Sequence, residues 1–166
     1  MASGDPMLQV CRAIPPGSSA PAGMFYPGGS SPPESWFVWD FDDTAVEVLD
    51  FHCVLAPTYS GGGVTGGLIW GRATGTSAVN CIWEIAFRAI VDDVTDTDNS
   101  FTYDFNQVTA SAPGAVGRFV YDAIPFTNGA DMDSVGAGMA FVARIRRNGG
   151  TLAGDARLRD FTLRET

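Results

Sequence analysis

From Trp36 onward, apolar runs of strand length alternate with turn signals. The runs cover residues 36–41, 46–55, 67–73, 79–90, 101–110, 116–126, 139–147 and 156–163, and Gly, Pro, Asp and Asn clusters separate them. Several alternate with a period of two, the signature of a strand that buries one face. Leu49, Phe51, Cys53 and Leu55 share a face, with Asp50 and His52 on the other. Cys81, Trp83, Ile85 and Phe87 alternate with Ile82, Glu84, Ala86 and Arg88, while Met139, Phe141, Ala143 and Ile145 alternate with Arg144 and Arg146. A helix would need apolar spacings of three and four, and only a short helical turn near 131–135 is expected. About eight strands joined by tight turns predict an all-β fold, an antiparallel β-sandwich of jelly-roll-like form.

Residues 1–35 break this pattern, because seven of the ten prolines fall there. Proline lacks the donor that helices and sheet ladders use, so an extended N-terminal arm is expected, followed by the sandwich domain at 36–166. The arm carries Met7, Leu8, Val10, Ile14, Met24, Phe25 and Tyr26, more apolar side chains than a free linker needs. It is expected either to lie along a neighbouring subunit or to pack on its own domain.

Composition sharpens the picture. A chain of 166 residues is one domain's worth, and 17% charged residues is sparse for a surface that meets only water. All the basic residues are arginine and the net charge is −9, so phosphate backbones are repelled and nucleic acid is an unfavourable partner. No basic-then-apolar leader opens the sequence and no apolar run approaches a bilayer-spanning length, so a protein made in the cytoplasm without a membrane anchor is expected. The odd count of Cys11, Cys53 and Cys81 argues against a complete disulfide framework, and Cys53 and Cys81 read as small buried hydrophobes.

Candidate chemistry is thin. Asp40-Phe41-Asp42-Asp43-Thr44 matches the Asp-x-Asp-x-Thr of haloacid-dehalogenase-type phosphatases, whose first Asp attacks phosphorus. That chemistry needs a following helix and a cation, normally lysine, and here another strand-like run follows in a chain without lysine. An acidic turn is the better account. The acidic cluster at Asp92, Asp93, Asp96, Asp98 and Asn99, with Asp131 and Asp133, lacks the glycine and closing glutamate of a calcium loop, so no metal is assigned. His52 is the single histidine and no nucleophile elbow accompanies it; no catalytic residue and no cofactor is assigned. Trp70 and Trp83 are expected in the core, whereas Trp36 and Trp39 stay open between core and sugar-stacking roles. Arg144, Arg146 and Arg147 form a local basic stripe, read either as a dock for an acidic partner surface or as a solvated strand end.

Residues 40–163 resemble a type of small protein found among the virion structural proteins of tailed bacteriophages. The resemblance rests on Leu49-Asp50-Phe51, on Tyr59-Ser60-Gly61-Gly62-Gly63-Val64-Thr65, and on the run from Phe126 to Ser134. Arg144-Ile145-Arg146-Arg147 and Gly154-Asp155-Ala156-Arg157-Leu158 extend it. It implies a β-sandwich on the capsid exterior of a virion: a head decoration (cement) protein, homotrimeric and bound to the major capsid protein. The alternative is a receptor- or carbohydrate-binding module of a tail or head fibre. Contact with the partner is expected through Met24, Phe25 and Tyr26 of the arm and through Arg144, Arg146 and Arg147.

Overall fold

A computed structural model describes residues 8–28, 34–75, 78–97, 99–127 and 130–166. Ten strands run in chain order: β1 (Leu8–Ile14), β2 (Ala22–Gly28), β3 (Glu34–Phe41), β4 (Val48–Leu55), β5 (Val64–Arg72), β6 (Asn80–Ile90), β7 (Asn106–Ser111), β8 (Phe119–Phe126), β9 (Ala140–Gly150) and β10 (Ala156–Glu165). A 3-10 turn at Ala130–Met132 answers to the expected helical turn.

The strands form two antiparallel sheets, β1-β4-β9-β6-β7 and β2-β3-β10-β5-β8. Strands β3 to β10 by themselves pair as β3-β10-β5-β8 and β4-β9-β6-β7, which is the two-sheet, double Greek-key pairing of a jelly roll. The all-β antiparallel sandwich read from the sequence is thus the fold, with two further strands added outside β4 and β3.

Those two strands come from the proline-rich stretch. β1 pairs with β4 from Leu8↔Leu55 to Ile14↔Asp50, and β2 pairs with β3 from Ala22↔Asp40 to Gly28↔Glu34. Among the described residues, therefore, the stretch expected to be extended packs on its own domain, the second of the two placements expected for it, and contributes a strand to each sheet. Proline permits this because Pro15, Pro16 and Pro21 lie between the strands, and Pro27 sits on an edge strand, where a missing donor need not break the ladder.

The core follows the period-two reading. Leu49, Phe51, Cys53 and Leu55 of β4 point inward beside Cys81, Trp83, Ile85 and Phe87 of β6. Rings interlock across the two sheets: Trp83 meets Phe41 at 5.1 Å and Trp70 at 5.7 Å, and Phe87 meets Phe126 at 4.8 Å. Edge-on contacts of this kind add about 0.5–1.5 kcal/mol each beyond their burial. Trp70 also donates its indole N–H to Asp122 Oδ2 at 2.7 Å.

Two sequence expectations change here. Cys53 is not a free buried hydrophobe: the β1–β4 register sets it opposite Cys11, and the two form a disulfide that closes 42 residues of sequence. The odd count leaves Cys81, which is buried and whose thiol is pushed up to about 12 by that burial. Two outcomes are expected of a thiol titration. The native protein at pH 8 should be unreactive, and the unfolded chain should show one thiol before reduction and three after it. Because the folded thiol holds its proton above the ordinary 9.0, the stability it contributes is full below that value and is lost as pH rises toward about 12.

Arg147 is the second change. The alternation that turns Arg144 and Arg146 outward carries Arg147 inward, where it is 2% exposed. Its guanidinium donates to Phe41 O at 3.1 Å, Gly154 O at 2.8 Å and Leu152 O at 2.5 Å, tying β9 to the opposite sheet and to the β9–β10 loop. The expected stripe of three surface arginines is thus two, with the third a buried tie.

Candidate functional site

The outward face of the first sheet is where chemistry gathers. Between β6 and β7 the chain does not run as the strand expected at 101–110; only Asn106–Ser111 pairs, and residues 101–105 lie as a strap on that face. The period of two is kept, and each ring finds a guanidinium from the sheet below. Arg88 sits 5.0 Å from the Phe101 ring, Arg144 4.2 Å from Tyr103, and Arg146 3.7 Å from Phe105. Each such cation–ring contact adds about 0.5–1 kcal/mol where exposed and more where water is excluded.

Cross-strand registry fixes the arginines. Asp50 of β4 stands opposite Arg144 of β9, and the carboxylate takes two hydrogen bonds from it, Nε to Oδ1 and Nη2 to Oδ2, both at 2.7 Å. Those bonds hold the guanidinium pKa above its ordinary value despite partial burial. Glu84 of β6 faces Arg146 and accepts from its Nε, with a second bond from Asn148 Nδ2 at 2.9 Å. Burial pushes the Tyr103 phenol above its ordinary range while Arg144 opposes the shift, so Tyr103 enters the site as a neutral ring with a hydroxyl to donate.

Beside the strap the face opens into a groove of about 560 Å³. Tyr103 and Thr97 form one wall, and Arg12 and Ile14 of the edge strand β1 form the other. Val54, Val142 and Ile90 supply an apolar floor, with the Asp50–Arg144 pair, His52 and Arg88 set around it. An apolar base with a few fixed polar groups, within the ~300–1,000 Å³ typical of small-ligand sites, is suited to holding a compact polar molecule.

The other sheet carries aromatic rings on its outer face. Gly67 and Gly71 of β5 leave room for aromatic rings from β8 to lie on the sheet. A Cβ at Gly67 would come 2.4 Å from Tyr121, and one at Gly71 3.3 Å from Phe119. Trp36 is covered by Arg159, 4.2 Å from its ring, and Asp40 binds Arg157 at 3.0 Å. Of the contact residues expected from sequence, Met24 is exposed on this sheet, with its sulfur 3.9 Å from Arg157 Nη2. Phe25 and Tyr26 lie in β2, in register with Phe37 and Trp36, and their side chains fall outside the described structure. Met24 and the arginines Arg144 and Arg146 therefore belong to opposite faces of the sandwich and do not form one surface.

The other sequence motifs resolve into turns. Asp42 Oδ1 accepts from Thr44 N, Thr44 Oγ1 and Ala45 N, which holds its carboxyl below the ordinary range and closes the acidic turn before β4. Asp133 accepts from Ala89 N and Asp131 from Thr127. Asp98 lies outside the described residues. Among the described residues, no three His, Cys, Asp or Glu side chains gather in a metal-holding cluster. Trp70 and Trp83 are fully buried, Trp39 packs against the core, and Trp36 lies half-buried under Arg159.

No family model matches the sequence, and no curated protein matches it. Among solved structures the chain is similar to a xylan-binding module, CBM15, at 12% identity, covering 100% of this chain and 93% of that one with a TM-score of 0.50. TmCBM61, solved with β-1,4-galactotriose, covers 95% and 90% at 10% identity and a TM-score of 0.42. The enzymatically active domain of bacteriophage CBA120 tailspike protein 4 aligns at 9% identity and a TM-score of 0.43, over 95% of this chain but 19% of that one. The likeness to the xylan-binding module shows the fold, a jelly-roll β-sandwich.

Proposed function

We propose that this domain is a carbohydrate-binding module that takes an oligosaccharide in the groove between β1 and the 101–105 strap. The observation that carries the reading is the groove itself. A half-buried tyrosine ring, its phenol neutral, stands beside a bidentate Asp50–Arg144 pair over an apolar floor. Sugars offer that combination its complement, apolar C–H faces for the ring and hydroxyls for fixed donors and acceptors. The fold shared with a xylan-binding module agrees with it. We read the domain as a binder and assign it no catalytic residue. The resemblance to tailed-phage virion proteins supports a setting on a tail or head fibre. A disulfide also suits an exterior position, since such bonds persist in oxidising surroundings.

The test is calorimetric titration of the purified protein with neutral and acidic oligosaccharides. Saturable binding to at least one class, weakened by substitution in the groove, is expected; absence of binding to every class would overturn the reading.

A head-decoration role, with trimers on the major capsid protein, draws on a different observation. On the outer face of the second sheet Met24 is 36% and Tyr121 46% exposed, one on each edge strand, where neighbouring subunits would meet them. Mixing the protein with undecorated phage heads separates the two. Regular density at capsomer junctions in electron micrographs is the result for decoration, and bare heads the result for the glycan reading.

A further inference from the structure

We infer that the groove selects acidic oligosaccharides, chains of uronic acids whose carboxylates meet its arginines. The inference rests on the carbohydrate-binding reading above and names the substrate class of that same site.

The charge around the groove runs against the charge of the chain. The protein carries −9, yet the groove is lined by Arg12, Arg88 and Arg144 against Asp50 alone, three positive groups and one negative for a net +2 with His52 neutral. Asp50 is already engaged by Arg144 through both oxygens, so its charge is spent inside the pair. Among the described residues no carboxylate pairs with Arg12 or Arg88. Arg88 is nonetheless held in place, its Nη2 donating to Asp96 O at 2.8 Å and its plane near the Phe101 ring. It also donates a hydrogen bond to the Tyr103 hydroxyl. A guanidinium fixed in orientation and paired with no carboxylate is a ready fork for one.

Position adds to charge. In the order β1-β4-β9-β6, Arg12 and Arg88 stand three strands apart, roughly 14 Å at the ordinary strand spacing. A polymer laid across the strands therefore meets a cation at each wall, with the Tyr103 ring and the apolar floor between them. A neutral sugar in the same place would cover both cations without replacing their water by a counter-charge, an uncompensated cost that discriminates against it.

The experiment titrates the full chain with tetragalacturonate and tetramannuronate, each also as its methyl ester, which keeps the skeleton and removes the charge. The acids should bind about 10–100-fold more tightly than their esters, the scale of one or two charge-assisted hydrogen bonds. Arg12→Gln and Arg88→Gln, checked for an unchanged melting temperature, should each bring that ratio toward one. Added salt should shrink it further. Esters, or neutral xylo-oligosaccharides, that bind as tightly as the acids would overturn the inference and leave the carbohydrate reading standing. A domain that binds neither acidic nor neutral chains would overturn both.

Discussion

Replacing Arg147 by methionine should lower the free energy of unfolding by about 3–5 kcal/mol, read as a shift of the urea midpoint at constant slope. Methionine has a comparable stem and no donors. The substitution would strand three backbone carbonyls, Phe41 O, Leu152 O and Gly154 O, in a region where the arginine is 2% exposed. A bond from a charged donor contributes about 1.5–3 kcal/mol, and a buried acceptor left without one costs about 1–3. Local relaxation and water entry will recover part of that sum, which is why the expected loss is below the full total. Arg147→Lys separates charge from geometry, because a single ammonium cannot reproduce the planar fork that reaches carbonyls on two sides. It should recover less than half of the loss. A midpoint unchanged in both variants would mean that this residue does not tie β9 to β3 and to the β9–β10 loop.

Tyr103→Ala should weaken oligosaccharide binding by roughly 30-fold, about 2 kcal/mol, which is the scale at which aromatic anchors act in binding sites. The ring forms the strap's wall of the groove and also covers Arg144 at 4.2 Å, so alanine removes a stacking surface and loosens the cation beside it. Tyr103→Phe keeps the ring and should retain most of the affinity, losing only what the hydroxyl contributes. Equal losses in the two variants would assign the effect to the hydroxyl; no loss in either would place the sugar elsewhere, the outer face of the second sheet being the next surface to probe. Stability measured alongside keeps the comparison honest, since the strap is short and half-buried.

Much of this molecule was legible before its structure. The eight runs from Trp36 to Leu163 each contain a strand, and alternation along β4, β6 and β9 named the inward residues correctly. The same alternation also contained the fate of Arg147. Counted from Phe141, Ala143 and Ile145 it falls on the buried face, and only the proximity of Arg144 and Arg146 made it read as part of a surface stripe. The strap at 101–105 shows the opposite situation. Phe101, Tyr103 and Phe105 have the period of a strand, but their rings pair with arginines of two other strands, Arg88 of β6 and Arg144 and Arg146 of β9. Nothing local distinguishes that from a ladder partner.

For a related reason the sequence left the proline-rich stretch open between lying along a neighbour and packing on its own domain. Proline forbids a central strand and tolerates an edge, and whether residues 8–14 and 22–28 find an edge depends on β4 and β3 being there. The disulfide follows from the same registry, since Cys11 and Cys53 meet only because Leu8–Ile14 aligns against Val48–Leu55.

By itself, then, the order of apolar and polar residues determined that this chain forms strands, which face each strand buries, and that the result is a two-sheet sandwich. Side-chain period is a local property, set by backbone geometry over a few residues. The tertiary structure decided which strands neighbour one another, which cysteines join, and which arginines stand around the groove. Such pairings join residues far apart in sequence, 42 for the cysteines, 94 for Asp50 and Arg144 and 117 for Asp40 and Arg157, and they are settled by closing loops and matching registers.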